Sequence, residues 1–271
     1  MKYRFPTCNR VLPAFLAMAW SILFGFADHA SAQPFGAASF QGIIHSDSYN
    51  DEGFGFITLT LSRSGTFSMR FNVGVNSVGQ HYYVRSGKFD SSGHYHFQGP
   101  PVTDTRYEIP RVIDLQLDST DSPTRINGML TDFTHLSDIE IEKVAVNAGK
   151  AGSYTLAVSN DNEGAPTGTG NGRVTIDRAG RLVVSGRVPG GRTFSQTANL
   201  TVYNHWPVFA KMTGTVYGIL SGWITYNDSD SNVFNGQLTW LGPEVPGPNH
   251  AYVPRFVTDV SVTGHRTTAA R

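Results

Sequence analysis

The side chains able to do chemistry are few and widely spaced. His94-Tyr95-His96 sets two imidazoles two positions apart. Successive strand residues point to opposite faces, so both rings fall on one side of a strand, as two metal ligands would. A stable zinc site uses three or four protein ligands. No third ligand stands nearby in the sequence, so the two histidines are expected to be an exposed pair and no metal is assigned. His81, His205 and His250 are isolated. Gly218-Ile219-Leu220-Ser221-Gly222 misses the Gly-x-Ser-x-Gly spacing and lies in a strand pattern, not a strand-to-helix turn, so Ser221 reads as a small sheet residue. Asn227 to Asn232 and Asn160 to Glu163 offer oxygens but lack the glycine and final glutamate of a calcium loop; they read as solvated hairpin loops. Glycoside hydrolysis needs two carboxylates about 5 to 10 Å apart, and no pair stands out. Asp138, Glu140 and Glu142 alternate along a strand, and Asp47, Asp51 and Glu52 share an early loop; both sets are expected to be solvated. No catalytic residue and no cofactor are assigned, and the chain is read as a non-enzyme.

Aromatic residues give the one functional lead. Trp206, Trp223, Trp240, Tyr203, Tyr217, Tyr226 and Tyr252 concentrate in the second half. Flat rings hold sugar rings, and they equally fill cores. Trp206, Trp223, Trp240 and Tyr226 are the candidate ligand-binding residues, with a glycan as the ligand.

The elements that must position these residues are strands. Val174 and Ile176 alternate with Arg173, Thr175 and Asp177; Leu182 and Val184 resume the pattern after the Asp177 to Gly180 turn; Phe194, Gln196, Ala198, Leu200 and Val202 follow Pro189-Gly190-Gly191. Strand, glycine turn, strand is the hairpin signature. In the first half Ile57, Leu59 and Leu61, then Phe67, Met69, Phe71 and Val73, then Ile113, Leu115 and Leu117, repeat the plan. The spacing predicts an all-β protein of two tandem antiparallel barrel or sandwich modules, 33–146 and 147–271, with about eight strands each. Strand order and turn placement match between the halves, which duplication explains.

The first 32 residues read as a signal peptide. Lys2 and Arg4 precede an apolar run from Val11 to Phe26, and Ala30-Ser31-Ala32 suits cleavage before Gln33. The sole cysteine, Cys8, lies in that leader, so the mature chain has no disulfide and must rely on core burial. A secreted location, periplasmic or extracellular, and no membrane span in the mature chain follow from this reading. Lys plus Arg and Asp plus Glu are 21 each. That balance supplies no basic patch for phosphates, so no nucleic-acid partner is expected.

Gly152-Ser-Tyr-Thr-Leu, Gly172-Arg-Val-Thr-Ile-Asp-Arg-Ala-Gly, Trp206-Pro-Val-Phe, Gly218-Ile-Leu-Ser-Gly-Trp and Leu238-Thr-Trp resemble a β-rich module repeated in large exported bacterial surface proteins, an uncharacterised family. Phe40-Gln-Gly-Ile and Ile126-Asn-Gly-Met-Leu-Thr-Asp resemble its paired half. The resemblance implies an exported, non-catalytic module with a structural or protein-interaction role at the cell surface, and it brings no site residues. A carbohydrate-binding module using the second-half aromatics is the alternative. A hydrolase with an unrecognised site and an outer-membrane barrel come after these.

Overall fold

The computed structural model describes residues 35–46, 54–76, 79–99, 112–131, 136–145, 148–212, 218–242, 244–246, 252–254 and 256–267. The leader with its cleavage site, the acidic loop at Asp47 to Glu52, Tyr217 and His250 lie outside the described residues.

The expected alternation is present in strands such as Gly55–Leu61, Val112–Leu117, Leu136–Lys143 and Arg181–Arg187, whereas strands Ala38–His45 and His205–Lys211 are buried on both faces over most of their length. The first sheet holds β1 (Ala38–His45), β2 (Gly55–Leu61), β3 (Thr66–Asn76), β4 (Gly79–Lys88), β5 (His94–Gln98), β6 (Val112–Leu117), β7 (Arg125–Thr131) and β8 (Leu136–Lys143). In β2, Ile57, Leu59 and Leu61 are buried while Thr58 and Thr60 are exposed. The second sheet holds β9 (Gly152–Asn160), β10 (Gly168–Ile176), β11 (Arg181–Arg187), β12 (Thr193–Asn199), β13 (His205–Lys211), β14 (Ile219–Tyr226), β15 (Phe234–Leu241) and β18 (Val257–Arg266). Between β15 and β18 a two-stranded ribbon pairs β16 (Glu244–Pro246) with β17 (Tyr252–Pro254). Proline is tolerated in such a ribbon because a two-stranded pair has free edges. Among the described residues the only helical turn is a 3-10 segment, Ala148–Lys150.

Both sheets are antiparallel and run through the same order. The first is β4-β3-β2-β1-β8-β7-β6-β5, the second β12-β11-β10-β9-β18-β15-β14-β13. The turn between the second and third strands is also shared. Gly65 (φ +80°) and Gly180 (φ +84°) occupy the left-handed region at matching places, where a side chain would be strained. The Gly65 carbonyl accepts from Phe89 N at 3.0 Å, and the Gly180 carbonyl from Leu200 N at 3.3 Å.

Each sheet curls into a nearly closed barrel around its own core. Phe40, Ile57, Phe71, Ile113 and Ile141 lie among the side chains filling the first; Tyr154, Trp206, Tyr226, Phe234 and Trp240 are the largest filling the second. At Gly42 an added Cβ would stand 1.8 Å from the Glu140 carbonyl, so only glycine lets β1 and β8 approach this closely. Side chains help to close the seams, and in the second barrel a backbone bridge also joins Phe194 to Met212. Between β4 and β5, the Arg85 guanidinium sits 3.3 Å over the Phe97 ring, and Tyr95 of β5 reaches past β4 to meet Phe67 of β3 edge-on at 4.8 Å. Between β12 and β13, the Gln196 amide donates to the Pro207 carbonyl at 3.0 Å and accepts from Phe209 N at 3.2 Å. The outward faces carry polar residues such as Arg70, Arg173, Arg181 and Thr197. A membrane barrel has the reverse arrangement, apolar outside and polar within. No helix among the described residues is long and apolar enough to cross a membrane.

The two barrels belong to one unit. Ala145 N donates to the Leu200 carbonyl at 3.0 Å and Val202 N to the Lys143 carbonyl at 2.9 Å, around a bridge between Val144 and Thr201. Gln41, on the outer face of β1, pairs with the Asn199 backbone: its Oε1 accepts from Asn199 N at 3.0 Å and its Nε2 donates to the Asn199 carbonyl. Phe54, Phe209, Ile219 and Leu241 form a small apolar cluster of their own, against which Phe56 packs.

Candidate functional site: a cleft between the barrels

The outer face of β8 in the first barrel looks onto the outer faces of β13 and β14 in the second. Parity explains which residues arrive there. Ile139 and Ile141 point into the first barrel, so Glu140 and Glu142 point out. Leu220, Ile224 and Tyr226 fill the second barrel, so Ser221 and Trp223 point out. Trp206, Val208 and Ala210 are inward on β13, which turns His205 outward.

Trp223 Nε1 donates to Glu140 Oε2 at 3.0 Å and bridges the two barrels. A cavity lies on each side of this bridge, and both are lined by Trp223 and Glu140. One, of about 300 Å³, adds Arg125, Asn127, Ile141, Glu142 and His205. The other, of about 390 Å³, includes His45, Ser46, Phe54, Ser221 and Asp259.

Glu142 is the electrostatic centre of the first cavity. Its side chain is only 8 % exposed. Its carboxylate accepts from Thr201 Oγ1 at 2.6 Å, from Arg125 at 3.2 Å and from His205 Nδ1 at 3.1 Å. A buried carboxylate is tolerated only with such partners. This overturns the expectation that Asp138, Glu140 and Glu142 form a solvated strand face: the second barrel covers its Glu142 end. Because the carboxylate can only accept, it assigns the proton to His205 Nδ1 and leaves Nε2 as an acceptor. The His205 ring lies between Tyr203 and Trp223, with centroids 6.1 Å and 6.0 Å away, and Arg125 stacks 4.1 Å over Tyr203.

Two residues lining the second cavity carry a buried polar atom with no partner among the described residues, His45 Nδ1 and Ser221 Oγ. Buried polar atoms normally have hydrogen-bond partners, and leaving one unpaired costs about 1–3 kcal/mol.

The four aromatic candidates separate. Trp223 is partly exposed and lines both cavities. Trp206 is buried in the second barrel against Phe234, at 6.0 Å. Tyr226 is buried as well; its hydroxyl donates to Asp228 and lies 3.2 Å from the Tyr154 hydroxyl. Burial, and then these hydrogen bonds, raise its pKa well above the ordinary tyrosine value. Trp240 is 1 % exposed, meets Phe256 edge-on at 4.9 Å and lines a separate pocket of about 450 Å³ beside Pro166 and Pro189. Only Trp223 thus joins the inter-barrel cleft. Glu142, His205, Arg125 and Ser221 were not singled out as a set in the sequence, because with Trp223 they sit on four strands of two sheets. The parity of Trp223, opposite to that of Leu220 and Ile224, is the signal that separates it.

No protein-family model matches the chain, and no curated protein does. Solved structures to which the chain is similar include two. A protein of unknown function from the DUF3598 family of Nostoc punctiforme has 12 % identity and a TM-score of 0.26, covering 85 % of this chain and 96 % of its own. Kievitone hydratase from Nectria haematococca has 10 % identity and a TM-score of 0.25, covering 88 % and 91 %. At these TM-scores neither likeness bears on the cleft.

Proposed function

We propose that the protein is an exported, non-catalytic binding module that holds a saccharide or a similar polyhydroxylated ligand in the cleft between its barrels. The observation that supports this is Trp223: a partly exposed indole with cavities on both sides, ringed by groups that donate to and accept from hydroxyls. A sugar ring stacks its C–H face on an indole and spends its hydroxyls on such neighbours. Glu140, Glu142 and Asp259 outnumber the single guanidinium of Arg125, which favours a neutral or amino sugar over a uronic acid. The buried partnerships of Glu142 serve to hold the cleft's shape.

The structural or protein-interaction role rests on the resemblance to exported repeat modules and on duplication, with which the shared strand order agrees. Among the described residues, the exposed apolar side chains Val84, Met129 and Val183 lie on different strands.

The test is a glycan array on the purified mature chain, followed by calorimetry on the hits with wild type and Trp223→Ala. Binding lost in Trp223→Ala, with an unchanged circular dichroism spectrum, supports the cleft. Hits that bind Trp223→Ala as well as wild type remove it, and a blank array removes the saccharide reading.

A further inference from the structure

We propose that His94, His96 and Asp114, on the outer face of the first barrel, form a binding site for a divalent transition-metal ion. Tyr95 and Phe97 pack against the first barrel's core, so His94 and His96, at the alternate positions of β5, face outward together. In β6, Ile113 and Leu115 are buried, which turns Asp114 outward as well. The register pairs His96 directly with Asp114. The third ligand that local sequence lacks therefore comes from the neighbouring strand. The carboxylate spans both rings: Oδ1 lies 2.5 Å from His94 Nε2 and Oδ2 lies 2.8 Å from His96 Nδ1. These two hydrogen bonds, that of His96 first, hold the Asp114 pKa below the ordinary aspartate value.

Among the described residues no group of three or more His, Cys, Asp or Glu side chains is placed to hold a metal ion as it stands. In the arrangement present, the Asp114 carboxylate is hydrogen-bonded to both rings. Zinc sits about 2.0–2.2 Å from nitrogen and carboxylate oxygen, so donors around it lie slightly farther apart than these hydrogen-bonded pairs. To take an ion, the two rings must turn until their nitrogens and the carboxylate converge on it, giving up these hydrogen bonds. Each side chain is free to do so, with 41 %, 49 % and 32 % of its surface exposed for His94, His96 and Asp114. The backbone beneath is held: Asp90 Oδ1 accepts from His94 N at 3.0 Å, and Gln116 donates to the Ser92 carbonyl at 3.0 Å. Two imidazoles and one carboxylate suit zinc, nickel or copper(II) better than calcium or magnesium, which prefer all-oxygen sites. Three protein ligands leave a fourth position for water or an anion. The ion would also tie the edge strand β5 to β6, next to the seam with β4.

The experiment is calorimetric titration of chelator-treated full chain with zinc chloride, repeated on His96→Ala, Asp114→Asn and the double variant His94→Ala/His96→Ala. All three positions are partly exposed, so the metal-free variants should keep the wild-type thermal midpoint, and each is checked for this. The expected result is one ion per chain, affinity reduced at least tenfold in each single variant, and no binding in the double variant. A zinc-induced rise in thermal midpoint should appear in wild type and vanish in Asp114→Asn. No saturable heat in wild type, or equal zinc binding by the double variant through other histidines, would overturn the site.

Discussion

Trp223 and Glu140 meet across the two barrels, the indole Nε1 donating to the carboxylate Oε2 at 3.0 Å. Neither residue belongs to a barrel core, and each points away from its own sheet. Their contact divides the inter-barrel space into two cavities, and it makes the cleft a property of the pair of barrels, not of either one.

That placement predicts opposite consequences for the tryptophans. Trp223→Ala should cost on the order of 1 kcal/mol in stability, the cost of a typical partly exposed contact, yet abolish ligand binding. Trp206→Ala should cost about 3–5 kcal/mol, because it empties the centre of the second barrel. Urea denaturation gives both values. Equal destabilisation by the two substitutions would refute the assignment of Trp206 to the core and Trp223 to the cleft.

Much of the fold was legible because alternation is local. Ile57, Leu59 and Leu61, or Val174 and Ile176, announce their buried faces without knowledge of their partners. The site was legible only in part. Parity along β13 and β15 groups Trp206 with Val208 and Trp240 with Leu238, and so sends both inward. Glu142 finding Thr201 and His205, or Asp114 finding His94 and His96, depends on cross-strand register and barrel packing. Those are set by long-range closure that no short window of sequence contains.

The barrel–barrel joint depends on Gln41, which is 2 % exposed and satisfies both the N–H and the carbonyl of Asn199. Gln41→Ala leaves both backbone groups buried without partners. The expected loss is about 1–3 kcal/mol, with faster hydrogen exchange at the Asn199 amide. If that amide exchanges as slowly in the variant as in wild type, Gln41 does not hold the joint.

Gln196 does analogous work within the second barrel. Pro207 has no N–H to offer a ladder across β12 and β13, and the Gln196 amide instead takes its carbonyl and the Phe209 N–H. Gln196→Ala should cost about 1–2 kcal/mol and raise exchange at Phe209 more than at residues of β10, which keeps backbone ladders on both sides. Glu at this position keeps the acceptor and loses the donor, so Gln196→Glu should fall between Ala and wild type in denaturant midpoint. Unchanged Phe209 exchange in both variants would show that the seam holds without this side chain.

Lys211 ends β13 opposite Ile219, and burial of its ammonium lowers its pKa from 10.5 to about 8. Burial disfavours the charged form, so between about pH 8 and the ordinary lysine value the unfolded chain binds a proton that the folded chain has released. Unfolding then takes up protons, and stability rises with pH through that window. Tyr226 acts in the opposite sense above pH 10: its raised pKa keeps the folded hydroxyl protonated after the unfolded one ionises, so stability falls there. The clean interval is therefore pH 8 to 10. Urea midpoints should climb across it in wild type, and less steeply in Lys211→Met, which removes the titrating group and keeps most of the apolar stem. Lys150, also lowered by burial, contributes slope of the same sign, so Lys211→Met should reduce the rise without abolishing it. An identical slope in the two proteins would show that the Lys211 ammonium stays hydrated in the fold.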